Sequence, residues 1–215
     1  MYLLENVSFR SSKIVDQAKL YKWRFMRDDM NNLICLVGMC GAGKSVVSDE
    51  LGKRGYQYLR FGQITIDIIR ERRLDINEDN EKKIRESLRA EHGMGAYALL
   101  NLPKIEKLLM TGNVVADGLY SWTEYKILKK HFGERMKVIA VIAPPALRYE
   151  RLVHRQLDVS GKNRPLSREQ ALARDYAEIE NIEKAGPIAM ADHYLLNMGS
   201  LDFLIQQIAG ILGKM

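Results

Sequence analysis

The stretch LICLVGMCGAGKS, Leu33 to Ser45, constrains the fold more than any other part of the chain. An apolar run breaks into a glycine-rich loop, and the loop opens an amphipathic stretch. Gly38, Gly43, Lys44 and Ser45 satisfy G-x-x-x-x-G-K-[ST] in the strand-then-helix context that makes the pattern meaningful. Glycines let the backbone curl so that successive N–H groups converge on phosphate oxygens. A helix beginning near Lys44 adds the positive end of its dipole. Lys44 is expected to reach the β- and γ-phosphates of a bound triphosphate, and the Ser45 hydroxyl to join a magnesium shell. The expected nucleotide-binding run is Gly38, Met39, Cys40, Gly41, Ala42, Gly43, Lys44, Ser45 and Val46. The loop alone does not separate a kinase from an ATPase or a switch GTPase, although the N-K-x-D guanine motif of a GTPase does not occur.

Beyond the loop, short apolar runs alternate with longer helical stretches. Strands are expected at Leu33–Val37, Tyr56–Phe61, Val114–Asp117, Lys137–Ile142 and His193–Asn197. Helical spacing covers Lys44–Lys53, Ile64–Arg73, Glu78–His92, Ala96–Met110, Ser121–His131, Ala146–Arg155, Ser167–Lys184 and Leu201–Leu212. Mostly apolar strands separated by helices predict a five-stranded parallel sheet covered on both faces, an α/β three-layer sandwich. Asp117 then ends the third strand at the edge where open α/β sheets place ligands. A carboxylate there could hold magnesium or position an acceptor, and Gly118 would let the chain turn closely past the ligand. A turn or N-cap aspartate is the plainer alternative.

Composition narrows the classes. The 215 residues suffice for one domain with a substantial core, or a domain with a lid. A net charge of +6 suits an anionic ligand, while no long basic stretch interleaved with aromatics supports nucleic-acid recognition. Cys35 and Cys40 lack metal-ligand or redox-pair spacing, and the four histidines are scattered. No apolar run approaches the ~18 residues of a membrane span, and the first residues do not read as a secretory signal. A reducing, cytoplasmic setting follows as the default. Residues 1–31 precede the core as an N-terminal extension, leaving 32–215 as the loop-bearing domain. Within the extension Lys13–Arg27 reads as a basic amphipathic helix that could dock on the domain, mediate a homodimer or touch an acidic surface.

In order along the chain, LVGMCGAGKSVVSDELGKRGY, FGQ, HGMGAYA, VVADG, APPALRYERLVHR and ADHYLLNMGSL resemble segments of archaeal-type dephospho-CoA-kinase-like proteins. These are P-loop nucleotide kinases, more distantly related to adenylate kinases and authentic dephospho-CoA kinases. The resemblance runs from Leu33 to the C-terminus. It implies the P-loop NTPase fold with a helical acceptor-binding region after the second strand and a small lid at about 156–166. It also implies ATP as phosphoryl donor with Mg2+, and a nucleoside monophosphate or dephospho-CoA-like acceptor. Phe61 and Gly62 match the start of the family's acceptor loop, but Gln63 stands where the family carries an acid. Asp67 follows one helical turn later. Ile66 takes the place of an arginine, with Arg70 one turn further, and Leu119 and Tyr120 follow Asp-Gly where relatives carry another. The acceptor-binding set so implied is Gly62, Gln63, Asp67, Arg70 and Gly118.

Arg148, Arg151 and Arg155 recur at i, i+3 and i+7 along one expected helix face. In related kinases such arginines contact the transferring phosphates, where negative charge concentrates. Arg151 and Arg155 are therefore expected to be catalytic beside Lys44 and Asp117, with Ser45 and Asp117 holding metal. Gly161, Lys162 and Arg164 would belong to the lid, and Arg174 to the helix after it. Asn197 and Gly199, in NMGSL, match the loop that frames adenine, although a turn with Ser200 capping the last helix reads equally well. The expectation is an ATP-dependent phosphotransferase for a nucleotide-like small molecule. A nucleotide-binding regulatory module that hydrolyses ATP slowly or not at all stays open beside it.

Overall fold

The computed structural model describes residues 31–156 and 165–215. The expected helix Lys13–Arg27 and the lid residues Gly161, Lys162 and Arg164 lie outside them. Five strands form one sheet: β1 (Leu33–Val37), β2 (Gln57–Arg60), β3 (Val114–Asp117), β4 (Met136–Ile142) and β5 (His193–Leu196). Their order is β2-β3-β1-β4-β5, and every pairing is parallel. Between them run α1 (Lys44–Lys53), α2 (Gln63–Glu71), α3 (Glu78–His92), α4 (Ala96–Leu109), α5 (Trp122–Phe132), α6 (Pro145–Val153), α7 (Arg168–Glu180), α8 (Ala185–Ala189) and α9 (Leu201–Leu212).

All five residues of β1 are buried, because the strand lies between β3 and β4 with both faces covered. The period of two sorts them. Leu33, Cys35 and Val37 pack with Ile69, Ile84, Tyr97, Ile105 and Leu128, from α2 to α5. Ile34 and Leu36 face the other way, onto Val47 and Leu51 of α1 and Leu204 and Ile208 of α9. The sandwich thus has three layers, as the apolar patterning implies. Burial pushes the Cys35 thiol far up, so it serves as a small core hydrophobe.

Helix starts follow local chemistry. The Ser121 hydroxyl accepts from Glu124 N while the Glu124 carboxylate accepts from Ser121 N, closing a capping box at α5. Ser167 and Gln170 repeat it at α7, and Ser200 caps α9 by accepting from Phe203 N at 3.2 Å. One expected helix is corrected. Ser167–Lys184 does not run through: α7 ends at Glu180, and Glu183 takes a left-handed φ of 53°. The break turns Ile182 and Lys184 inward, both buried, before α8 begins.

This topology brings the loop after β1 and the end of β3 together at one sheet edge. Leu36 pairs in register with Asp117, and Arg60 of β2 pairs with Asp117 from the other side. Leu36 is fully buried beneath that edge. Replacing it by alanine is expected to cost about 2–5 kcal/mol, read as a lower urea midpoint at unchanged slope.

Candidate functional site

The loop following β1 owes its shape to residues with no side chain. Gly43 sits at φ 98°, and a Cβ there would collide with Asn197 Nδ2 from the loop after β5. That amide donates to Ala42 O at 2.8 Å, which pins the far end of the sheet onto the phosphate loop. Arg151 holds the same asparagine from outside, Nη2 donating to Asn197 O at 3.0 Å and to its side-chain oxygen at 3.4 Å. Lys44 leads α1 and curls back, Nζ donating to Gly38 O at 2.9 Å and Met39 O at 3.3 Å. Burial and the neighbouring Lys184 lower the Lys44 ammonium, partly offset by Asp117.

A cavity of about 190 Å³ opens in front of this loop. Of the expected residues, Cys40, Gly41, Gly43, Lys44, Ser45, Asp117, Gly118 and Arg155 line it. Gly38, Met39, Ala42 and Val46 belong to the same loop and helix start without lining the cavity. Arg151 and Asn197 stand behind it as the brace just described, and Gly199 is exposed at the turn before α9. Of the residues expected to bind an acceptor, Gly62 packs beneath the Tyr120 hydroxyl, where a Cβ would come to 3.0 Å. Gln63 donates to Asp67 at 2.9 Å, and Asp67 lies 3.9 Å from Lys104 on a half-exposed face. Arg70 is exposed in the last turn of α2. Gln63, Asp67 and Arg70 do not line the 190 Å³ cavity. Arg89, from the segment before α4, lies 5.8 Å from the Tyr97 ring centre, away from it as well.

The remaining lining is Tyr58, Arg60, Tyr120, Arg174, Glu178 and Lys184. Sequence reasoning missed Tyr58, Arg60, Glu178 and Lys184. Arg60 had a usable signal, since it ends β2 on the edge that Asp117 shares. Lys184 had none, because its inward turn depends on the break after α7. Its ammonium donates to Glu178 at 2.7 Å and lies 5.4 Å from the Tyr120 ring centre. Arg174 meets the same Glu178 at 3.2 Å. Burial alone would raise the Glu178 carboxyl, but Lys184 and Arg174 bring it down to about 2. The Tyr58 hydroxyl donates to Asp117 Oδ2 at 3.4 Å, and burial together with Asp117 pushes that phenol up to about 12.

Arg148 has a different place from the other two arginines of its helix. It is buried, Nε donating to Ala143 O at 3.1 Å and Nη1 to Cys40 O at 3.0 Å. Its fork also grips Asp175 of α7 at 2.8 and 2.5 Å. It therefore ties the loop, β4 and α7 together and does not reach the cavity.

A hard divalent cation fits the oxygen donors present. Asp117 Oδ1 is buried with no hydrogen-bond partner among the described residues, and the exposed Ser45 hydroxyl lines the same cavity. Such a cation could be held by Ser45 and Asp117.

The lowered Glu178 carboxyl has a consequence for acid stability. Its unfolded form titrates near 4.5, so the stabilisation is full above that value and is lost as pH falls from about 5 to 2. The loss should be on the order of 3 kcal/mol. Urea unfolding across that range should show it, and Glu178→Gln should be less stable at pH 7 with a shallower acid dependence.

The model of the AAA domain family matches residues 34–184. A UPF0200 protein from Thermococcus gammatolerans is 33% identical over 184 residues, covering 85% of this chain and 94% of its own. Another from Pyrococcus furiosus is 34% identical over 178 residues, covering 80% and 91%. Among solved structures, a shikimate kinase from Acinetobacter baumannii in complex with shikimate aligns over 86% of this chain and 94% of its own, with TM-score 0.51 and 22% identity. A gluconokinase from Sinorhizobium meliloti covers 86% and 93%, with TM-score 0.52 and 14% identity. At such identities the likeness speaks for the fold, which is that of P-loop kinases, and not for the substrate. Matched along most of its length by the AAA domain model and by these archaeal relatives, the chain belongs to the UPF0200 family of P-loop proteins.

Proposed function

We propose that the protein is an ATP-dependent phosphotransferase acting on a nucleotide or nucleotide-like small molecule. One observation carries the reading. The phosphate loop, a strand-end carboxylate and an excess of cations line a single cavity, with Lys44, Arg60, Arg155, Arg174 and Lys184 against Asp117 and Glu178. A bare triphosphate-binding loop needs no such cluster beyond its own lysine. Phosphoryl transfer does, because charge spreads over the transferring group between donor and acceptor.

In this reading the loop amides and Lys44 hold the β- and γ-phosphates of ATP, and Lys44 leaves its carbonyl partners to do so. Arg155 and Arg174 meet the equatorial oxygens of the transferring phosphoryl group. Asp117 and Ser45 would hold magnesium, which would supply positive charge against the phosphates as negative charge develops. Tyr58 orients Asp117 through its hydroxyl. Arg151 acts through Asn197, fixing the loop that faces the base end of the nucleotide. Little covalent chemistry falls to the protein, so positioning and charge stabilisation do most of the work.

A second reading is a nucleotide-binding module without small-molecule turnover. It is favoured by Gln63 and Asp67, which bond each other on a face outside the cavity. Incubation with Mg-ATP and a panel of nucleoside monophosphates, their deoxy forms and dephospho-CoA separates the two. Acceptor-dependent ADP formation is expected. ADP with free phosphate regardless of acceptor would indicate an ATPase, and thermal stabilisation by ATP without turnover would sink the catalytic reading.

Lys44→Ala should lower turnover by about 3 orders of magnitude, a loss of transition-state charge stabilisation, measured as initial rates of ADP release. Asp117→Asn should lower kcat by about a hundredfold or more and raise the magnesium concentration needed for half-maximal rate.

A further inference from the structure

The cations of the cavity are not all accounted for. Glu178 is spent inside the protein on Lys184 and Arg174. Asp117 gives one oxygen to Tyr58, and its proposed role uses the other. In the reading above a triphosphate engages Lys44 and the loop, and its transferring phosphoryl group engages Arg155. Arg60 remains. It ends β2 as the register partner of Asp117, and its Nη1 is buried with no hydrogen-bond partner among the described residues. A buried donor without a partner carries its full desolvation cost, and a guanidinium fork matches phosphate geometry. Arg60 also lines a second cavity of about 350 Å³ along the β2 edge, together with Tyr58, Gln63, Asn101 and Lys104.

Among the described residues, the acceptor side offers no base that is not already engaged. A hydroxyl acceptor must lose a proton during transfer. Gln63 is no base, and Asp67 is bonded to it on a half-exposed face outside the first cavity. A phosphomonoester needs no such help, since its second pKa of about 6 leaves it mostly a dianion at neutral pH.

We propose that the acceptor is a phosphomonoester whose phosphate is held by Arg60, with the rest of the molecule lying along the β2 edge toward Gln63, Asn101 and Lys104. This rests on the phosphotransferase reading above. A non-bridging oxygen of the acceptor phosphate forms a bond to the γ-phosphorus of ATP. The bond from that phosphorus to the β–γ bridging oxygen breaks, and its electron pair leaves with ADP. The product is a diphosphate, and no proton has to move.

Two measurements test this. In the first, the protein saturated with magnesium and a non-hydrolysable ATP analogue is titrated with AMP, CMP, UMP and glycerol phosphate, and with their dephosphorylated parents. At least one monoester should bind about tenfold or more tightly than its parent. Arg60→Gln should weaken that binding about tenfold to a hundredfold, the loss of a charge-assisted hydrogen-bond pair. Arg60→Lys should keep part of it, and both variants should melt with the native chain. Equal binding of every monoester and its parent, or a preference that survives Arg60→Gln, overturns the proposal. In the second, products of Mg-ATP turnover are resolved by phosphorus NMR. A new diphosphate supports the proposal. A phosphorylated hydroxyl on dephospho-CoA, shikimate or gluconate overturns it while leaving the phosphotransferase reading intact. Arg60-dependent monoester binding with no ADP formed keeps the anion site and overturns the phosphotransferase reading instead.

Discussion

The buried guanidinium of Arg148 sets the geometry on which the site depends. Its bonds to Cys40 O, Ala143 O and the Asp175 carboxylate join the phosphate loop, the strand beside it and the helix that carries Arg174 and Glu178. Two charges taken from water into a protein interior often add little net stability, because desolvation offsets attraction. What such a pair supplies here is placement. An apolar substitute would fill the space but could not satisfy a loop carbonyl and a helix carboxylate together. The tyrosine beside it, Tyr149, donates to the same carboxylate at 2.9 Å, so Asp175 is held by two neighbouring side chains of α6 at once.

Much of the fold was legible because its signals are local. The bounds of β1, β3, α1, α3 and α9 agree with the apolar runs and helical spacing, and α3 begins where Asn77 caps it by accepting from Asn80 N. The phosphate loop was legible for the same reason: loop, lysine and hydroxyl are consecutive. The rest of the cavity was not. Its lining comes from the end of β2, the turn after β3 and the break after α7, far apart in sequence. Arg60 sits one residue before FGQ and looks like an ordinary strand-end arginine until β3 is laid beside it. Lys184 reads as the end of a helix, and only the left-handed Glu183 turns it inward.

Arg148 and Arg155 show the limit of spacing arguments. Both lie on one expected face, and the structure gives them opposite environments. Arg155 lines the cavity just past the end of α6, whereas Arg148 is enclosed beneath the loop. Periodicity says which residues share a stripe. It does not say what the stripe meets, and here one stripe crosses from interior to cleft within two turns.

The bond from Asn197 to Ala42 spans 155 residues. A loop whose residues are contiguous is thus completed by a side chain almost at the far end of the chain. During synthesis the β1 loop emerges early, yet it lacks its Asn197 partner until β5 has been made and paired against β4. Closing so long a separation is among the slower events in folding a parallel sheet. The finished shape of the phosphate loop therefore reports that the whole sheet has assembled, so stabilisation by any ligand of that loop would mark the complete fold and pass over partly folded chains.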